Sequence, residues 1–137
     1  MGFKTLKNIA VTENHLYLKA YAKGKKAVGR YTVVYVMRDL KAKAIMRANP
    51  RKLYVNRLGL TVSKKLGGAV IRNRVKRILR EAYRAAEAQL GLVHGRIVII
   101  VAREAAVKAR TGEIYEELSR HFRAVGLIDG NGSASRT

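Results

Sequence analysis

Residues 97–102, Ile-Val-Ile-Ile-Val-Ala, form an unbroken apolar run in which β-branched side chains dominate. Such side chains are stiff about χ1 and suit a pleated backbone. A run this short, without polar alternation, reads as a strand buried on both faces. The chain must therefore build a sheet in which this strand is covered. The run is also the longest apolar stretch present, far below the roughly 20 residues a membrane helix needs. The N-terminus Met-Gly-Phe-Lys lacks the apolar stretch of a signal peptide, so a cytoplasmic protein is expected.

Around this strand the periodicities predict an order of helix, strands, helix, strand, helix. Thr12 is the expected cap of a first helix that ends near Gly24, with Leu16, Ala20, Tyr17 and Tyr21 on a packed face. Arg30–Arg38 alternates as a strand, and so does Arg57–Ser63, with Leu58, Leu60 and Val62 on one face. Leu53–Val55 is a possible short strand, and 39–51 a loop with a helical turn. Gly67-Gly68 opens a long helix from about Val70 to Leu90. A last helix follows Thr111 and runs to about Val125. Its core face is Ile114, Leu118, Phe122 and Val125. Residues 1–129 read as a single domain and 130–137 as a disordered tail. At 48% apolar residues the chain should fold, and without cysteine it holds no disulfide or thiolate zinc site.

Charge narrows the partners. The chain has 29 Lys and Arg against 9 Asp and Glu, a formal +20. Residues 1–80 hold 21 of those cations and only Glu13 and Asp39 as acids, so +19 of the charge lies there. Such repulsion is relieved by a polyanion. Nucleic acid fits better than an acidic membrane, because no basic amphipathic segment with an exposed aromatic face and no lipidation motif is present.

The segment 66–84, LGGAVIRNRVKRILREAYR, concentrates that charge. On a helical wheel, Ile71, Val75, Ile78, Leu79, Ala82 and Ala86 share an arc of roughly 100°. Arg72, Asn73, Lys76, Arg77, Arg80 and Arg84 share another of roughly 140°, with Arg74 apart. A solvated helix interleaves Glu with Lys at i, i+4. Here like charges stack at 72, 76, 80 and 84, which is favourable only opposite phosphates. Arginine's planar fork suits phosphate oxygens. Lys64 and Lys65 precede Gly67-Gly68, whose backbone can approach an anion at the open helix start. No Gly-Lys-Ser/Thr follows, so nucleotide hydrolysis is unsupported.

These residues resemble the signature of the bacterial ribonuclease P protein family: Ala69, Arg72-Asn73-Arg74, Lys76-Arg77 and Arg80, preceded by GLTVSKKLG. The likeness is dense over 57–84 and extends in element order over about 4–127. It implies an α+β fold, an αβββαβα two-layer sandwich with a left-handed βαβ crossover. About 98% of such units are right-handed. It also implies a protein that binds a catalytic RNA through Lys64, Lys65, Arg72, Asn73, Arg74, Lys76, Arg77 and Arg80. A cleft lined by Tyr17, Tyr21, Tyr31, Val33 and Tyr35 would hold the single-stranded 5′ leader of precursor tRNA, and the protein would promote removal of that leader. Aromatic faces on a basic groove stack bases without reading sequence. The competing reading of these tyrosines is core packing. The family usually carries Phe where this chain has Tyr17 and Tyr21. The connection 39–56 is also longer, and Arg47, Arg51, Lys52 and Arg57 there read as a solvated loop or an added RNA contact.

No catalytic constellation appears in the protein itself. Glu113, Glu116 and Glu117 read as first-turn surface charges, Asp39 and Asp129 as isolated, and His15, His94 and His121 as unrelated to any acid. No protein-bound metal is expected; magnesium would be held mainly by the partner RNA, whose ion demand the cations lower. The expected protein is the non-catalytic subunit of a ribonucleoprotein endoribonuclease. The alternative is a ribosomal or RNA-chaperone protein on a similar fold. A DNA reader ranks last, because the strip offers phosphate-type cations rather than the short polar side chains that read bases.

Overall fold

The computed structural model describes residues 9–41, 44, 47 and 56–128. Its elements are β1 (Ile9–Ala10), α1 (Asn14–Lys23), β2 (Lys25–Val28), β3 (Thr32–Arg38), β4 (Arg57–Thr61), α2 (Ala69–Leu90), β5 (Arg96–Ala102) and α3 (Thr111–Ala124). The expected αβββαβα order is present, with β1 added at one edge. The possible strand at 53–55, Asp129 and the tail at 130–137 lie outside the described residues. Of 39–51, Ala44 and Arg47 are helical and exposed.

Five strands form one sheet in the order β1-β4-β5-β3-β2. β4 runs parallel to β1 and β5, while β3 runs antiparallel to β5 and β2. β5 sits centrally, and Ile97, Val98, Ile99 and Ile100 are all buried. Val98 and Ile100 pack with Val34 and Val36 against α2 and α3, which form the second layer of the sandwich. Ile97 and Ile99 face the other way, onto Val11 and Ala20, so α1 adds a partial third layer.

The hand of the β4–α2–β5 unit follows from hydrogen bonds and L-chirality. In an L-strand running upward with a side chain toward the observer, that residue's N–H and C=O point right. Leu58 faces the α2 and α3 layer, and its carbonyl accepts from Val11 N–H of the β1 segment at 3.1 Å. Seen from the helices, β1 is thus right of β4 and β5 left. α2 carries the chain leftward, a left-handed crossover. The Asp39 N–H donated to Gly95 O at 2.9 Å gives the same hand from the other face.

Several local expectations shift. α1 is capped from Glu13, not Thr12, without a side-chain bond. The strand drawn from Arg30 begins at Thr32, and a further strand, β2, precedes it. Asp39 is not isolated, and Arg57 is neither loop nor RNA contact. Arg57 Nε and Nη2 donate to Asp39 Oδ2 and Oδ1, both at 2.8 Å, and Nη1 reaches Glu13 at 3.3 Å. Glu117 is not a surface charge. It is buried and accepts from the N–H groups of Arg30, Tyr31 and Thr32, at 2.7 Å, 3.0 Å and 2.7 Å, and from Thr32 Oγ1 at 2.7 Å. His121, one turn on, lies 3.5 Å from it, so the histidine does pair with an acid.

Candidate nucleic-acid interface

α2 buries the predicted arc from Val75 through Ile78, Leu79, Ala82 and Ala86. Tyr83 joins them, stacked edge-on against Phe122 at 5.9 Å; the wheel had left it out. Ile71 departs from the arc and is 40% exposed. It folds over Gly67, where a Cβ would come within 2.8 Å of Ile71 Cδ1. Gly67 also has φ +149°, which L side chains seldom adopt.

The approach to α2 is a 3-10 turn, Lys64–Leu66, whose Lys65 N–H is capped by Ser63 Oγ at 3.0 Å. Gly68 caps α2 without any side-chain bond. Gly68, Ala69 and Val70 are exposed, so the first-turn N–H groups open onto solvent beside Lys64 and Lys65. Uncapped amides and paired lysines make an anion site at this end.

Along the outer face Asn73, Arg77, Arg80 and Arg84 are exposed, and Arg72 and Lys76 half-buried. Arg77 meets Glu81 at 4.0 Å in an exposed pair, too weak to hold it from phosphate. Arg72 Nε donates to Gly67 O at 3.1 Å, which steadies the entrance loop. Arg74, which the wheel set apart, points elsewhere. Its guanidinium donates to Val107 O at 2.8 Å and Ala109 O at 3.2 Å, so it ties α2 to the segment before α3.

The tyrosines divide. Tyr17 and Tyr21 of α1 lie 6.3 Å apart, and Tyr21 stands edge-on to Tyr35 of β3 at 4.9 Å. Tyr17 Oη donates to Val11 O at 3.2 Å, and Tyr21 Oη shares a 3.3 Å hydrogen bond with Thr61 Oγ1. Burial, then the neighbouring Tyr21, raises the Tyr17 hydroxyl above its usual value, which keeps it a neutral donor. Gly59 makes room for this ring, since a Cβ there would fall 2.6 Å from Tyr17 Oη. Val33 lies on the Tyr35 face by alternation and is half-buried. Tyr31 is not among them. It packs against the opposite cluster, donates to Glu113 at 3.3 Å, and has Arg30 over its ring.

An open cavity of about 410 Å³ lies between α1, the end of β4 and α2. Tyr17, Leu18, Tyr21, Thr61 and Lys76 line it. Lys76 thus belongs both to the basic strip and to the wall of the tyrosine groove. A strand of nucleic acid could lay phosphates on α2 and bases on Tyr17 and Tyr21 without leaving this surface. Among the described residues no three His, Asp or Glu side chains gather as a metal site requires, and no helix is long and apolar enough to cross a membrane.

The chain is similar to known proteins in sequence and in fold. The family model for ribonuclease P matches residues 6–126. The ribonuclease P protein component of Clostridium acetobutylicum is 32% identical over 123 residues, covering 90% of this chain and 93% of the relative. That of Caldanaerobacter subterraneus subsp. tengcongensis is 33% identical over 113 residues, covering 82% and 85%. The solved Staphylococcus aureus RNase P protein superposes with a TM-score of 0.68 at 27% identity, covering 90% of this chain and all of that one.

Proposed function

This chain belongs to the ribonuclease P protein family, and from that premise we propose that the two joined surfaces divide the work of the enzyme between them. The protein is the subunit of a ribonucleoprotein endoribonuclease, and its partner is an RNA. In this reading Lys64, Lys65, Arg72, Asn73, Lys76, Arg77 and Arg80 sit on that RNA. Arg74 acts from behind, by fixing α2. The groove of Tyr17, Tyr21, Val33 and Tyr35 takes the unpaired 5′ leader of precursor tRNA and leaves Tyr31 out.

The observation that carries this reading is Lys76, half-buried on the strip and lining the groove with Tyr17 and Tyr21. It makes one continuous track in which the leader's backbone meets cations and its bases meet aromatic faces. The contribution is positional: stacking supplies about 1–3 kcal/mol per base without reading sequence. Chemistry at the phosphodiester belongs to the RNA. In this reading magnesium is held mainly by the RNA, in the cytoplasm where precursor tRNA is made, and no step is assigned to a metal on the protein.

The test is leader dependence. Precursor tRNA and mature tRNA are titrated onto the assembled RNA–protein complex, with wild type and with Tyr21→Ala. Wild type should prefer the precursor, and Tyr21→Ala should lose about tenfold of that preference while binding mature tRNA equally well. An unchanged preference would remove the groove from the leader's path.

A further inference from the structure

α1 starts beside β4, where Glu13 meets Arg57, and ends against β2 at the far edge of the sheet. It therefore splits the outer face of the sheet into two flanks. The tyrosine groove occupies one. Beyond the other, at the strand ends, lie two contiguous cavities that share Lys19, Met37, Arg38 and Leu40, and the larger reaches round the sheet to Val36, Val125 and Gly126 of the helix layer. The larger, of about 460 Å³, is lined by five cations: Lys19, Lys23, Lys25, Arg38 and Arg96. No acid lines it. The smaller, of about 170 Å³, adds His15 and Lys41, and the carboxylate that lines it, Asp39, is already engaged by Arg57.

The bland account is helix-end electrostatics, since a cation in the last turn answers the helix dipole. That explains Lys23. It does not explain Lys25, Arg38 and Arg96, which arrive from β2, β3 and β5, three different strands. Arg96 is also held in place, with Nη1 donating to His94 O at 3.1 Å. Convergence of like charges from separate elements costs stability unless an anion occupies the space, and a concave wall of one sign concentrates its field.

We infer that this cavity is a second binding site for the phosphodiester backbone of single-stranded RNA, separate from the tyrosine groove. Its size suits a short stretch of one strand. Among the described residues its lining contains no aromatic ring, so it holds phosphates and does not stack bases. Met37 and Leu40 offer apolar floor for sugars, while the forks of Arg38 and Arg96 match phosphate oxygens. The site therefore binds without regard to sequence, and α1 has RNA on both flanks.

The experiment is an amide NMR titration of the isotope-labelled full chain with a twelve-nucleotide oligouridylate. Amides of Lys25, Val36, Met37, Arg38, Arg96 and Gly126 should shift, and should still shift in Tyr17→Ala/Tyr21→Ala. Neutralising Lys23, Lys25 and Arg38 together to Gln should abolish those shifts and weaken binding about tenfold at low salt. It should also lower the slope of log affinity against log salt by about 2, at roughly 0.7 per single-strand phosphate. Well-dispersed spectra of that variant show that it is folded. Two RNAs of the assembled enzyme can supply the phosphates, a distinction that rests on the functional reading above. If the leader supplies them, lengthening it tightens binding in wild type but not in the triple variant. If the partner RNA does, the variant binds that RNA more weakly at every leader length. Shifts confined to α2 and the tyrosine groove would overturn the proposal. So would equal shifts at equal midpoints from a polyglutamate peptide of the same length.

Discussion

The Arg57 guanidinium and the Asp39 carboxylate meet side by side, with two hydrogen bonds of 2.8 Å and side-chain exposures of only 6% and 2%. The pair fastens the end of β3 to the start of β4, and through Glu13 it also fastens the start of α1. α1 carries Tyr17 and Tyr21, so the clamp positions the groove. Removing one partner leaves a buried charge uncompensated. Arg57→Ala should therefore cost about 3–5 kcal/mol in urea unfolding, with leader preference lost alongside. A cost below about 1 kcal/mol would show that the pair is not the clamp described.

The same pair sets an acid limit. Burial alone would raise the Asp39 carboxyl, but the Arg57 hydrogen bonds, the Lys41 N–H and the nearby charges more than offset it and hold it below its ordinary value of 3.8. A depressed folded-state pKa stabilises the fold fully above the unfolded value, and that contribution disappears as pH falls through the folded one. Unfolding midpoints of wild type should therefore fall as pH drops below the ordinary carboxylate value of 3.8. Asp39→Asn should start lower and show a shallower decline as pH falls. Parallel curves for the two proteins would contradict the assignment.

Glu117 is the anchor of the β2–β3 turn, where three consecutive N–H groups converge on it. Glu117→Gln places an amide NH₂ among donors and should cost about 3 kcal/mol by thermal unfolding. The folded fraction should bind RNA as before, since none of these groups lines the basic strip or groove. A destabilisation under about 1 kcal/mol would mean that water replaces the carboxylate readily.

Gly59 tests the groove without replacing any candidate contact. Gly59→Val places methyl groups where Tyr17 lies. Precursor affinity should drop about tenfold, in line with one lost stacked base. Affinity for the partner RNA alone should not change. Loss of both together would place Tyr17 in the general fold rather than the leader path.

Arg74 and Arg77 sit three residues apart and should behave oppositely. Arg74→Ala strips the Val107 and Ala109 carbonyls of their donor and should lower stability by about 1–3 kcal/mol. Arg77→Ala, on the exposed face, should leave stability within about 0.5 kcal/mol. It should lower RNA affinity and reduce the salt slope by just under 1, at about 0.9 per duplex phosphate. Circular dichroism melts and salt-series binding separate the two.

α2 and its strip were readable because a helical wheel is local: residues three and four apart decide the face. β5 was readable because six apolar residues admit one environment. What escaped depended on distant partners. Glu117 looked like a first-turn surface acid because its donors lie 85 to 87 residues earlier. The i, i+4 spacing of Glu117 and His121 was the available signal. Asp39 and Arg57, 18 residues apart, meet only because β3 and β4 flank β5. Tyr31 was grouped with Tyr35 by alternation, but β3 starts at Thr32, so alternation ceases to orient the residue before it. β2 was missed because an edge strand needs little burial; only Ala27 is buried among its four residues.

The most direct measurement is cleavage of a precursor tRNA by a bacterial ribonuclease P RNA at low magnesium, with and without this protein. Wild-type protein should stimulate cleavage strongly, Arg77→Ala/Arg80→Ala should lose most of that stimulation, and Arg74→Lys, which can still reach a carbonyl, should keep it. Tight binding to the RNA with no stimulation of cleavage would contradict the account and leave a protein that only binds RNA.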